Sequence, residues 1–126
     1  MNAAPPPARA PATHARHLLR TRQAVFAALA ALALAFVLWH LTRFSARTAA
    51  VALVVGCAPW LLVARGLWRG ERRSYALACL LTVPCLGYGL MEVLANPGAR
   101  GYAGATVLAS CVAFLALVAY LRVSRP

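Results

Sequence analysis

Four long apolar runs, separated by short arginine-bearing segments, organise the chain. The first runs from Ala24 to Leu41, eighteen residues in which His40 is the sole polar side chain. As a helix it is about 27 Å long, close to the hydrocarbon thickness of a bilayer. The second covers residues 48–64 and is slightly short for a span, so Arg47 and Arg65 are expected to snorkel from its two ends. The third covers 75–95 and the fourth 103–121. This pattern predicts an all-α polytopic membrane protein with four transmembrane helices in an antiparallel bundle. The connections at 42–47, 65–74 and 96–102 are short enough to make consecutive spans antiparallel neighbours. In the last of them Asn96-Pro97-Gly98 reads as a type II turn, in which Pro sets the first central φ and Gly accepts a positive second one. Small residues four apart mark candidate packing seams: Ala27, Ala31 and Ala35 in the first span, Ala52 and Gly56 in the second, Ala105, Ala109 and Ala113 in the fourth.

Composition agrees with this reading. Of 126 residues 63% are hydrophobic and 12% charged, and the mean hydropathy is +0.72. A soluble domain of this size needs more charge on its surface, and a disordered chain carries far less apolar matter. Residues 1–22 depart from the rest. Pro5-Pro6-Pro7 and Pro11 stand among Ala, Arg and His without apolar periodicity, which predicts a disordered, basic, Pro/Ala-rich tail before a membrane domain at 23–126. A cleaved signal peptide is the competing account of the first run, since Arg16, Arg20 and Arg22 resemble its basic start. The run is longer than such a peptide's apolar region and ends in Trp39-His40-Leu41 rather than at small residues.

Charge then supplies an orientation. All thirteen basic residues are arginine, against Glu71 and Glu92, for a net charge of +11. They lie in connections and at span ends rather than on one face, which argues for topology determinants and against nucleic acid as a partner. With the N-terminus inside, ten arginines fall on the cytoplasmic side, Arg65, Arg69, Arg72 and Arg73 forming the densest group, and Arg43, Arg47 and Arg100 fall outside. Both termini are therefore expected in the cytoplasm. Trp68, Tyr75 and Tyr120 would mark the inner interface, and Trp39, Phe44 and Tyr102 the outer one.

Candidate chemistry is sparse. Glu92 is the one acid inside a span, and an intramembrane carboxylate is a candidate proton or cation site or an interhelical hydrogen-bonding group. It also lies about one turn from the end of its span, where an interfacial role is open to it. Cys85, Tyr88 and Glu92 share a helix face, and Tyr88 is placed to donate to the carboxylate. Pro84, Gly87 and Gly89 just before it, and Pro59 in the second span, are candidates for helix kinks or close packing. Cys57, Cys79, Cys85 and Cys111 are all intramembrane and form no Cys-x-x-Cys pair, which reads as packing rather than redox chemistry. His40 reads as an interfacial polar residue, and His14 and His17 lack a second pair of ligands. No nucleophile elbow, zinc-protease motif or phosphate loop occurs, so no enzyme, cofactor or metal is expected.

The stretch Gly66-Leu67-Trp68-Arg69-Gly70-Glu71-Arg72-Arg73-Ser74-Tyr75-Ala76, then Tyr88-Gly89-Leu90-Met91-Glu92, then Asn96-Pro97-Gly98-Ala99-Arg100, resembles domain-of-unknown-function family 2069, small bacterial inner-membrane proteins. Tyr75, Glu92 and Pro97 take the places of that family's span-opening Tyr, late glutamate and turn proline, and Trp39-His40-Leu41 and Pro59 also match. The family's fourth span often opens with an acid, whereas Thr106 stands here, so the resemblance carries no second carboxylate. It implies four spans and the bacterial inner membrane, and no activity. The functional expectation is a non-enzymatic accessory or interaction protein, with a membrane-protein partner or a homo-oligomer. The alternative is a small proton-coupled transporter acting as a homodimer, with Glu92 as its intramembrane acid.

Overall fold

A computed structural model describes residues 10–125. Four helices follow one another: α1 (Ala10–Arg43), α2 (Ala46–Arg69), α3 (Arg72–Ala95) and α4 (Arg100–Val123), with a 3₁₀ turn at Pro97–Ala99. All four are long and apolar enough to cross a membrane, and no strand occurs among the described residues. The protein is an all-α four-helix membrane bundle.

Each helix overruns its apolar run, because helix geometry continues into the interfacial zone where hydropathy no longer registers. The second span is therefore not short: α2 has 24 residues, about 36 Å, and reaches across with Arg65 and Arg69 on its last turns. The connection expected at 65–74 is mostly helix, broken only at Gly70 and Glu71. Gly70, at φ +77°, holds the one positive φ among the described residues. Its N–H donates to Leu67 and that of Glu71 to Gly66, the paired bonds of a Schellman cap, which returns the chain in two residues.

The turn at Asn96-Pro97-Gly98 is corrected in type: it is 3₁₀, and Gly98 has no positive φ. A Cβ at Gly98 would stand 2.5 Å from the Arg43 guanidinium, the far end of a flexible side chain that can move aside. The tail is corrected too. Residues 10–22 belong to α1, as Ala, Leu and Arg favour helix and Pro11 falls in the first turn, where proline's missing N–H costs nothing. Residues 1–9 of the expected tail lie outside the described residues.

The packing hub is α4, which lies along both α1 and α3, while α2 leans on α3 and barely meets α1. The buried stripe of α4 is Ala103, Thr106, Ser110, Ala113, Leu117 and Tyr120, spaced alternately by three and four. The alanine ladders named above follow the seams only in part: Ala113 is buried and Ala35 and Ala109 are half-buried, but Ala105, Ala27 and Ala31 face outward, and α1 buries Val25, Ala28, Leu32 and Trp39. A strict spacing of four drifts around a helix, whereas alternating three and four stays on one face.

One core cluster, at the Gly70 end, joins Val25, Val63, Leu67, Tyr75, Ala78, Leu117 and Tyr120. Another, at the opposite end, joins Trp39, Ala99 and Ala103. Three of the expected interfacial aromatics are therefore core: Trp39 is 1% exposed, and Tyr75 and Tyr120 stack at 3.9 Å inside the bundle. Trp68, 75% exposed, keeps its outward position.

Candidate functional site

Glu92 stands in the last turn of α3, half-buried, and no hydrogen bond or ion pair reaches its carboxylate among the described residues. Tyr88 does not bond to it. The Tyr88 ring turns instead toward α1, 5.2 Å from Trp39 and 6.3 Å from His40, centroid to centroid. An i,i+4 pair can meet on a helix surface, but a ring that finds aromatic partners on a neighbouring helix gains more contact area there.

These rings close one end of a cleft between α1, α2 and α3. Its volume is about 430 Å³, and its walls include Leu29, Phe36, His40, Trp60, Cys57 and Tyr88. Pro59 and Pro84 line it from α2 and α3, as does Cys85. Each proline lacks the N–H that would bond the carbonyl four residues earlier, Val55 and Leu80 respectively, so both helices carry a freed carbonyl at this depth. The cleft exists because α2 touches the bundle chiefly at its two ends. Ala49 is buried near the start of α2, and Val63, Gly66 and Leu67 near its end. In between, Gly56 rests against the rim of the Phe36 ring.

His40, expected at the interface, closes one end of the cleft. It is 3% exposed and sits among Phe36, Trp39, Phe44 and Tyr88, with centroids 4.1 to 6.3 Å away. Its Nδ1 lies 2.8 Å from the Phe36 carbonyl. A carbonyl only accepts, so Nδ1 carries a proton, and in the neutral tautomer that satisfies this bond Nε2 is the acceptor. The signal is present in sequence: Phe36, His40 and Phe44 recur every four residues, the first two on α1 and the third just past its end, and their rings stack in a column.

The other residues singled out fall elsewhere. At Gly89 a Cβ would stand 2.9 Å from Val107 and 3.4 Å from the Ala103 carbonyl, so α3 and α4 cross closely there; at Gly87 nothing lies within 4 Å. The four cysteines are free thiols, Cys111 exposed and the others half-buried. No group of three His, Cys, Asp or Glu side chains among the described residues is placed to hold a metal ion.

Arg65, Arg69, Arg72 and Arg73 gather at the Gly70 end. A groove there is lined by Arg72, Arg73, Arg122 and Arg125 over Ala76, Val118 and Leu121. The Arg69–Glu71 pair, 3.9 Å and more than half exposed, contributes little.

Fold and site together define a polytopic helical membrane protein whose interior holds an apolar cleft and no charged core. Over residues 24–125 the chain matches the model of the family described as Predicted membrane protein (DUF2069), and it belongs to that family. No curated protein and no solved structure matches it.

Proposed function

We propose that this chain is a non-enzymatic accessory protein of the bacterial inner membrane, acting through contacts with other membrane components and holding both termini in the cytoplasm. One observation carries this reading: among the described residues the interior buries no charged side chain and only five polar ones, His40, Ser74, Thr82, Thr106 and Ser110. The buried hydroxyls of Thr82 and Thr106 bond carbonyls of their own helices, at Cys79 and Tyr102. The Ser110 hydroxyl, on the same stripe of α4 as Thr106, is buried without a bonded partner among the described residues, and most of the remaining buried side chains are Ala, Val, Leu and aromatic rings. Meanwhile α2 turns Val54, Leu61 and Leu62 outward, the last 84% exposed, a face free for a neighbouring helix. The arginine distribution supports the orientation, since the densest group shares the Gly70 end with the C-terminus of α4.

The runner-up is a homodimeric proton-coupled transporter, favoured by one feature, the half-buried Glu92 carboxylate without a bonded partner. A complementation experiment separates the two. In a strain where deletion has a phenotype, Glu92→Gln should rescue at normal protein level, and alanine at Val54, Leu61 and Leu62 together should abolish rescue and the co-purification of a membrane partner in mild detergent. Loss of rescue by Glu92→Gln would transfer the argument to the transporter. Reporter fusions active only in the periplasm should be silent after Pro126 and active after Gly98, and activity after Pro126 would overturn the orientation.

A further inference from the structure

We propose that the cleft between α1, α2 and α3 is a binding site for a membrane-dissolved hydroquinone with an apolar tail, held by a hydrogen bond from its ring hydroxyl to Nε2 of His40. This goes beyond the accessory role and does not depend on it.

The size and make-up of the cleft are those of a ligand site: about 430 Å³, apolar walls and a few polar groups gathered at one end. Along α1 it extends from Leu29 to His40, eleven residues or about 16 Å. That length takes a substituted six-membered ring and the first part of a hydrocarbon tail. The cleft is bordered by α1 and α2, which meet at few points, and a bilayer-dissolved molecule would enter between them.

The head of the ligand is specified by His40. His40 is 3% exposed, its Nδ1–H is committed to the Phe36 carbonyl, and no hydrogen bond reaches Nε2 among the described residues. A bare imidazole nitrogen accepts only, so the ligand must bring a donor. A hydrocarbon chain brings none, and a quinone carbonyl would set lone pair against lone pair. A ring hydroxyl donates to Nε2 and can accept in turn from the Tyr88 hydroxyl, which has no bonded partner among the described residues and belongs to the ring stacked 6.3 Å from His40. Phe36, Tyr88 and Trp60 in the walls select a planar aromatic head over an aliphatic alcohol. At Nε2 the site therefore favours the reduced ring, which donates, over the oxidised one, which only accepts.

The test uses the full-length protein in phosphatidylcholine nanodiscs, titrated with decylubiquinol kept reduced and followed by tryptophan fluorescence, Trp60 being in the wall. A saturable change is expected. Decylubiquinone and the dimethyl ether of the quinol should bind about tenfold more weakly, the effect of one lost hydrogen bond. His40→Phe should weaken the quinol by the same factor and leave the ether unchanged, and that unchanged value reports an intact cleft. Ala52→Phe, which fills the cleft from α2, should abolish all three. Equal affinity for quinol and ether, a linear response from partition into lipid, or full binding by Ala52→Phe would each overturn the proposal. The first two need no variant at all.

Discussion

The α3–α4 contact and the α1–α2 contact are both made at glycines, yet they behave as different materials. At Gly89 the helices approach until a methyl group would meet Val107 and press on the Ala103 carbonyl. At Gly56 the same methyl would meet only the far edge of the Phe36 ring, at 2.8 Å, with an apolar cleft alongside. In lipid there is no hydrophobic gain from bringing two apolar helices together, so association rests on the fit of small residues and on interhelical hydrogen bonds. The seam of α4 with α1 and α3 has that fit, and α2 does not. A frame of three helices and one loosely held helix results, and the loosely held one borders the site.

The largest expected effect breaks the frame. Gly89→Leu overpacks the seam, because its Cβ alone would stand 2.9 Å from the Val107 side chain and the rest of the side chain would have to find room beside the Ala103 and Val107 backbone at 3.4 Å. Overpacking of this kind costs about 2 to 3 kcal/mol. Titration with a denaturing detergent from mild micelles, followed by circular dichroism, should show the loss, and wild-type stability would mean that the seam is not what holds the bundle.

A smaller effect is expected where the frame meets α2. The Tyr75 hydroxyl donates to the Leu67 carbonyl at 3.2 Å, and the ring stacks on Tyr120. Tyr75→Phe keeps the stack and removes the bond, for about 1 kcal/mol in the same titration. If the cost matches that of Tyr75→Ala, the stack contributes nothing and the pinning of α2 at this end has been misjudged.

Which of this was legible in the sequence follows from what each signal measures. Hydropathy measures depth, so four spans could be read directly while their ends could not: Arg65, Trp68 and Arg69 continue the helix beyond the apolar zone. Packing direction leaves a weaker trace when every face of a helix is apolar. Ala105 and Ala103 look equivalent in the sequence, and only the alternation of three and four through Leu117 and Tyr120 distinguishes the buried stripe. Trp39 was read as interfacial from its place at the end of a run, but the same place puts it against Tyr88 once α3 lies alongside. Glu92 drew attention because charge in a span is rare. The more enclosed group is His40, whose role depends on a backbone carbonyl and on a space left by another helix, neither of which a sequence displays.

The smallest effect sharpens the contrast most, because two terms of opposite sign nearly cancel. Gly56→Ala gains about 0.5 to 1 kcal/mol from replacing glycine inside a helix. Against this, the new methyl has to push the Phe36 ring, whose nearest atoms are at its free end and whose side borders open volume. The ring can swing into the cleft, so the net change should lie within about 0.5 kcal/mol of zero. Gly87→Ala isolates the first term, since no atom lies within 4 Å of its Cβ, and it should stabilise by the full helix gain. The difference between the two variants is then the cost of moving Phe36. A large difference would show that Phe36 is locked, that the cleft is not free space, and that α2 is as firmly seated as α3.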